Sequence, residues 1–199
     1  MRAILASQNE GKLRELREAL PGWEIEALDA DDYPPETGES YYENARGKAV
    51  FGRTVDRSGG WMLGEDSGLE VEGLDGAPGI KSARFAGGLH VERLLAELEG
   101  VEGDARRARY VCELVAVSPD GDELGGTGIL EGRIAAEPSG AGGFGFDPVF
   151  VPDGEDRSVA ELGDGWKAGN SHRARAAAAL RQALELRPAP RPGRGTATS

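Results

Sequence analysis

Two adjacent carboxylates inside an apolar run are the residues of this sequence best suited to chemistry. Glu65 and Asp66 follow apolar residues, and Ser67-Gly68 then interrupts the run. The period-two pattern on either side predicts a strand, an acidic turn and a second strand across residues 63–71. Burial of an unpaired carboxylate is costly, so we expect Asp66 to face a metal ion or a basic cluster. The alternative is an acidic hairpin tip in solvent, because Asp, Ser and Gly are common turn residues.

A polar segment near the N-terminus is suited to binding phosphate. The segment Ser7-Gln8-Asn9-Glu10-Gly11-Lys12 separates an apolar stretch from a run with helical spacing of leucines. A helix that begins after such a turn presents free backbone N–H groups and the positive end of its dipole, and Lys12 adds a full charge. The segment lacks the glycine spacing of a P-loop. The alternative is that Asn9 only caps the helix and Lys12 is solvated.

A third acid, Glu36, precedes a predicted helix over residues 40–51. Asn44 and Lys48 are four residues apart in this helix, so they share one face. The start of the helix would bring Glu36 just ahead of its N-terminus. The alternative is that Glu36 is an exposed loop acid and that Lys48 faces solvent.

An aromatic segment later in the chain is suited to binding a nucleotide base. In Phe144-Gly145-Phe146-Asp147, glycine beside the aromatic residues permits close approach to a ring face, and Asp147 can accept a hydrogen bond from a base edge. The alternative is that both phenylalanines belong to the core and that Asp147 belongs to a turn.

An Ala-rich helix is predicted over residues 172–186. Lys167 precedes this helix, and the segment Ser171-His172-Arg173 lies at its start. Ser171 has the position of its N-cap. A histidine at the start of a helix is more often a structural hydrogen-bond donor than a catalyst, so His172 alone indicates little.

Length and composition exclude several classes of protein. The chain has 199 residues, a net charge of −12 and one cysteine, Cys112, inside an apolar run. An acidic chain of this kind is not a general nucleic-acid binder. We expect no internal disulfide, no signal peptide, no membrane span and a cytoplasmic location. We predict a single domain over residues 1–187 and a disordered Pro- and Arg-rich tail over residues 188–199.

Strands and helices must position these side chains, and the hydrophobic pattern predicts several of each. The predicted strands cover residues 2–6, 23–28 and 109–117, with a further strand that follows a turn at Asp120-Gly121 and continues through residue 130. One predicted helix begins at residue 11. Three others cover residues 40–51, 91–98 and 172–186.

The order of these motifs resembles the inosine triphosphate pyrophosphatase family, over about residues 1–187. The matching segments are Ser7-x-Asn9-x-x-Lys12, Glu36-Thr37-Gly38, Glu43-Asn44-Ala45-x-x-Lys48-Ala49, Asp66-Ser67-Gly68-Leu69, Gly76-x-Pro78-Gly79-x-x-Ser82-Ala83-Arg84-Phe85, Gly143-Phe144-Gly145-Phe146-Asp147-Pro148, and Lys167 with Ser171-His172-Arg173. Three positions depart from the usual pattern: Gln8 replaces a glycine, Glu65 replaces an aspartate, and residues 87–91 form a shorter segment.

The resemblance implies an α/β fold with a long mixed central sheet, flanking helices and two lobes around a cleft. It implies a homodimer that splits ITP, dITP or XTP into the nucleoside monophosphate and pyrophosphate with Mg²⁺. A related activity on modified pyrimidine triphosphates and a sensor that binds triphosphate without cleaving it are the alternatives.

The resemblance also implies roles for individual residues. The phosphate-binding residues are Ser7, Gln8, Asn9, Glu10, Gly11 and Lys12, with Lys48 in support. Glu36 and Asp66 bind Mg²⁺, Asp66 orients or deprotonates the attacking water, and Ser67 contacts the substrate. The base-binding residues are Phe144, Gly145 and Phe146 at the ring, and Asp147, Lys167, His172 and Arg173 at the base edge.

Overall fold

The computed structural model describes residues 1–85 and 87–187 and contains a six-stranded mixed sheet. The strands are β1 (Arg2–Leu5), β2 (Glu24–Ala27), β3 (Trp61–Val71), β4 (Arg107–Val117), β5 (Glu123–Ile134) and β6 (Phe150–Pro152). Their order is β2-β1-β3-β4-β5-β6, with β2, β1 and β3 parallel and the remaining pairs antiparallel. The predicted mixed central sheet is confirmed. The predicted disorder of residues 188–199 lies outside the described residues.

Within the described residues, five α-helices flank the sheet, and side-chain caps explain where most of them begin. They are α1 (Glu10–Ala19), α2 (Tyr41–Val55), α3 (His90–Glu97), α4 (Val159–Asn170) and α5 (His172–Glu185). Asn9, Ser40, Ser158 and Ser171 each accept a hydrogen bond from a backbone N–H in the first turn of α1, α2, α4 and α5. The cap predicted at Ser171 is therefore confirmed.

Helix α4 is absent from the sequence predictions, although it carries Lys167. Its glycines make the segment resemble a loop, and Gly163 adopts a non-helical φ of 78° that kinks the helix. Ser158 and Glu161 form a capping box that fixes the first turn. The cap therefore explains the first turn of α4, whereas Lys167 lies in the segment that follows the kink at Gly163.

The prediction of a strand, an acidic turn and a second strand across residues 63–71 is wrong. These residues lie in the single strand β3, where Asp66 is paired in register with Glu113 of β4. Gly68, which resembled a turn residue, is required by packing, because a Cβ there would lie 2.2 Å from the carbonyl oxygen of Gly79. The strand can carry two buried carboxylates without turning because both have basic partners.

The connections place a crevice at the carboxyl end of β1. Helix α1 leads from β1 to β2 and packs with α5 on one face of the sheet, whereas α2 leads back to β3 and packs on the other. In open α/β sheets, ligands bind where consecutive connections diverge in this way. Strand β1 ends at Leu5 but β3 continues to Val71, so the middle of β3 borders this crevice.

Two apolar clusters lie along the same face of β3, and polar residues separate them. Leu63 packs in a cluster with residues of α1 and α5, whereas Leu69 and Val71 pack in a second cluster with residues of α3 and β6. Glu65 and Ser67 lie between them in the strand. The polar positions therefore separate the two apolar clusters along β3.

Close packing of α5 on β5 leads to a first prediction. A Cβ on Gly126 would lie 2.2 Å from the carbonyl oxygen of Ala176, whereas a Cβ on the neighbouring Gly125 would approach nothing closer than 3.8 Å. We expect Gly126→Ala to destabilise the protein by about 1–3 kcal/mol or more, because backbone must move. Gly125→Ala is the matched control on the exposed face and should change stability by less than about 0.5 kcal/mol. Urea denaturation measures both, and equal midpoints would refute this account of the packing.

Candidate active site

A cavity of about 300 Å³ lies at the crevice beside β3. The predicted site residues that line it are Asn9, Lys12, Ser67, Phe144, Gly145, Phe146, Asp147, Lys167, His172 and Arg173. Residues from the N-terminus, the middle and the C-terminal part of the chain therefore meet in one place.

The segment before α1 combines capping and contact with the cavity. Asn9 accepts a hydrogen bond from the backbone N–H of Lys12 at 3.1 Å and also lines the cavity. Ser7 Oγ accepts from the backbone N–H of Asn9 at 3.2 Å, and Gln8 and Glu10 are exposed. Lys12 is not solvated, because its side chain is 12% exposed and its Nζ lies 2.6 Å from Glu65.

The carboxylates of Glu36 and Asp66 both contact the ammonium group of Lys48. Lys48 Nζ donates to Asp66 Oδ1 at 2.9 Å and to the carbonyl oxygen of Glu65 at 3.0 Å, and it also forms an ion pair with Glu36. Asn44 Nδ2 donates to the other Asp66 oxygen at 3.1 Å. The ammonium group of Lys48 therefore brings Glu36 and Asp66 into one side-chain cluster.

Burial sets the protonation behaviour of this group. Burial raises the pKa of Asp66, and the nearby Lys48 opposes that rise without cancelling it. Burial alone would lower the pKa of Lys48, but Asp66, Glu65 and Glu36 outweigh it and raise the pKa. The carboxylates around Lys48 therefore favour its charged form, and burial moves the pKa of Asp66 above that of an exposed aspartate.

Arg173 lies between two buried carboxylates. Its Nε donates to Glu65 at 3.0 Å, one Nη donates to Glu15 at 2.5 Å, and the other donates to Ser67 Oγ at 2.8 Å. Glu65 has no exposed surface, and although burial alone would raise its pKa, Lys12 and Arg173 bring that pKa well below the usual value. Glu65 is thus engaged by cations on the face of β3 opposite to Asp66.

Lys167 connects this group to the aromatic segment. Its Nζ contacts Glu15 at 2.5 Å and Asp147 at 2.7 Å, and Asp147 accepts from the backbone N–H of Phe144 at 3.0 Å. The contacts form one continuous series of alternating charge, which we call the charge chain. Its members are Lys12, Glu65, Arg173, Glu15, Lys167 and Asp147.

The two phenylalanines have different environments. Phe146 is 4% exposed and packs against Phe85 and His90, with ring centroids 6.0 Å and 5.5 Å away. Phe144 is partly exposed, and the Lys167 ammonium lies 4.9 Å from its ring centroid. A Cβ on Gly11 would lie 2.9 Å from the Phe144 ring, so glycine is needed there for the ring to pack on the start of α1.

His172 is a neutral imidazole in the floor of the cavity. It is 6% exposed, and burial lowers its pKa well below the usual value. Its ring stacks on Tyr110 with centroids 4.6 Å apart and planes 11° from parallel.

Several residues of the site escaped the sequence predictions. Glu15 lies three residues after Lys12 in a charged helix, where it resembles a surface acid, and no local signal marks its burial. Tyr110 resembled an ordinary core residue of a strand. His90 lines the cavity from the start of α3. Asn44 was detectable, because it shares a helix face with Lys48.

Among residues 1–85 and 87–187, no helix has the length and apolar character that crossing a membrane requires.

The site is typical of α/β proteins that bind nucleotides. It combines an open mixed sheet, a crevice at the carboxyl end of the first strand, buried cations and a neighbouring aromatic ring. Within that class, the chain belongs to the Ham1 family, whose profile matches residues 3–183. The resemblance inferred from the motifs is therefore confirmed.

Individual relatives agree with this assignment. The chain is 44% identical over 184 residues to the dITP/XTP pyrophosphatase of Deinococcus deserti, with 90% of this chain and 88% of the relative covered. It is 39% identical over 196 residues to the dITP/XTP pyrophosphatase of Bdellovibrio bacteriovorus, covering 93% and 98%. The structure of the Staphylococcus aureus Ham1 protein is similar with a TM-score of 0.78 at 34% identity, covering 93% of this chain and 98% of that one.

Proposed function

We propose that this chain hydrolyses non-standard purine nucleoside triphosphates, namely ITP, dITP and XTP, to the nucleoside monophosphate and pyrophosphate, and so removes them from the nucleotide pool. The observation that carries the proposal is the charge chain, which links Lys12 beside the Glu65-Asp66 pair to Asp147 beneath Phe144. The charge chain thus connects Lys12 at the proposed phosphate end of the site with Asp147 and Phe144 at the proposed base end. The names of the relatives support the same activity.

At the phosphate end, Lys12 and the start of α1 bind the triphosphate, and Lys48 supports it. Asp66 orients or deprotonates the attacking water from its buried position in β3. Asn44 holds the second Asp66 oxygen and so fixes the direction of the carboxylate. Ser67 contacts the substrate from the adjacent position of β3.

The charge balance of the site favours a requirement for Mg²⁺. Four cations (Lys12, Lys48, Lys167 and Arg173) face five carboxylates (Glu15, Glu36, Glu65, Asp66 and Asp147), so these nine residues supply no surplus positive charge. A triphosphate carries about four negative charges, which must be neutralised as the phosphoanhydride bond breaks. Glu36 and Asp66 would hold the ion, since Mg²⁺ usually takes only one or two protein carboxylates. Bound Mg²⁺ supplies charge neutralisation on the phosphoryl oxygens.

At the base end, Phe144 stacks on the purine, and donors recognise its 6-oxo group. Lys167 has three N–H donors: one is donated to Asp147 at 2.7 Å, and Glu15 lies 2.5 Å from Nζ as an ion-pair partner. A remaining donor suits an oxygen acceptor, whereas the 6-amino group of adenine would leave that donor unpaired. Such a loss costs about 1–3 kcal/mol per contact, so several contacts are needed to exclude ATP strongly.

Release of pyrophosphate from ITP, XTP, ATP and modified pyrimidine triphosphates, with and without Mg²⁺, tests the proposal. We expect ITP and XTP to be cleaved far faster than the others and only with the metal ion. Comparable rates for ATP and ITP would refute the claimed specificity. Preference for a modified pyrimidine triphosphate would favour the related activity, and tight binding without cleavage would favour a nucleotide sensor.

We also propose that the chain acts as a homodimer in the cytoplasm, as its family resemblance implies. Light scattering at the concentrations used for the assay measures the molar mass, which should be that of two chains.

A further inference from the structure

Tyr110 contacts both the aromatic segment and His172, although it belongs to neither. It lies in the middle of β4 and is 6% exposed, and its ring lies between those of His172 and Phe150, with centroids 4.6 Å and 4.5 Å away. Its hydroxyl donates to Asp147 Oδ1 at 3.3 Å. Burial beside Asp147 raises the pKa of this hydroxyl well above its usual value, so it remains a donor.

Asp147 is the residue through which the hydroxyl acts. Its Oδ2 accepts from Lys167 Nζ at 2.7 Å and from the backbone N–H of Phe144 at 3.0 Å. Only the Tyr110 contact reaches its other oxygen in the described part of the chain. Without that contact the carboxylate could rotate, and the backbone of Phe144 and the ammonium of Lys167 would follow it.

We propose that Tyr110 is a positioning residue for base recognition, which holds Asp147 through its hydroxyl and His172 through its ring. The inference rests on the proposed function, because it concerns the same cavity. Tyr110 lines that cavity, but its hydroxyl is engaged by Asp147, so it affects selectivity through Asp147 and not through its own contact with the base. Its role is to keep Phe144, Lys167 and His172 in the arrangement that distinguishes a 6-oxo from a 6-amino purine.

Tyr110→Phe removes the hydroxyl and keeps the ring between His172 and Phe150, so the fold should be retained. Tyr33→Phe is a matched control, because its hydroxyl donates to the carbonyl oxygen of Leu28 in a separate apolar cluster. The measurements are kcat/KM for ITP and ATP, and inhibition by inosine monophosphate and by pyrophosphate. A role in stability alone would affect both substrates and both inhibitors equally.

For Tyr110→Phe we expect kcat/KM for ITP to fall about tenfold, as loss of a hydrogen bond to a charged group predicts, while ATP changes by less than about twofold. Inhibition by inosine monophosphate should weaken by a similar factor and inhibition by pyrophosphate should not change. Tyr33→Phe should match the wild type throughout. An unchanged ratio of ITP to ATP turnover, or equal losses for both, would overturn the inference. Failure of the wild-type chain to cleave ITP would instead refute the proposed function.

Discussion

Replacement of Asp66 by Asn is expected to reduce Mg²⁺-dependent hydrolysis of ITP by about 10³-fold while the protein remains folded. The variant removes the proposed general base and one of the two proposed metal ligands. Its shape is almost unchanged, but an amide has one acceptor oxygen, so one of the two donors to Asp66, Asn44 Nδ2 or Lys48 Nζ, loses its acceptor. This costs about 1–3 kcal/mol, which lowers the stability without unfolding the protein. Steady-state hydrolysis and thermal denaturation measure the two effects separately.

Asp153→Asn is the matched control, because Asp153 is half-exposed and pairs with Arg107 on the surface. It should retain wild-type activity. Glu36→Gln should raise the Mg²⁺ concentration needed for half-maximal activity and reduce kcat less than Asp66→Asn does, since Glu36 has no proposed part in proton transfer. A kcat near the wild-type value in Asp66→Asn would contradict the assigned role.

Replacement of Arg173 by Ala is expected to lower the free energy of unfolding by about 3–5 kcal/mol, because it leaves Glu15 and Glu65 buried without their shared cation. In a protein of this size the loss corresponds to a decrease of roughly 10 °C in the melting temperature. The loss is large because Arg173 is 2% exposed and engaged on three sides.

Arg181→Ala on the exposed side of the same helix controls for the loss of an arginine and should change stability by less than about 0.5 kcal/mol. Arg173→Lys retains the charge but cannot reach three acceptors in one plane, so its melting temperature should lie between those of Arg173→Ala and the wild type. A melting temperature equal to that of the wild type in Arg173→Ala would show that the charge chain does not stabilise the fold.

Local signals were sufficient for much of the fold. Ser40 and Ser171 mark the starts of α2 and α5 because capping depends on residues only three positions apart. Asp66 was misplaced in a turn because the same residue types serve turns and functional strands, and only its tertiary partner Lys48 distinguishes the two. Helix α4 was missed because its glycines conceal a helix that Ser158 and Glu161 initiate.

The candidate site was predictable only where its residues have neighbours in sequence. Asn9 and Lys12 lie in one short segment, and Phe144 and Asp147 in another, so their types and spacing indicate chemistry. Glu15 acquires its importance from Arg173, which lies 158 residues away, and no pattern within a helix reports such a contact. Family resemblance supplied the order of the motifs, whereas the partners of each charge required the folded structure.

Strands β3, β4 and β5 each extend for 11 or 12 residues, and β3 passes without a break from one apolar cluster to the other. Two bodies joined by a flexible linker can swing apart, because a few residues absorb the change in backbone angles. Because the continuous strand β3 joins the two clusters, it provides no flexible hinge between them, and admission of a ligand requires twisting of the strands or displacement of the loops around the crevice.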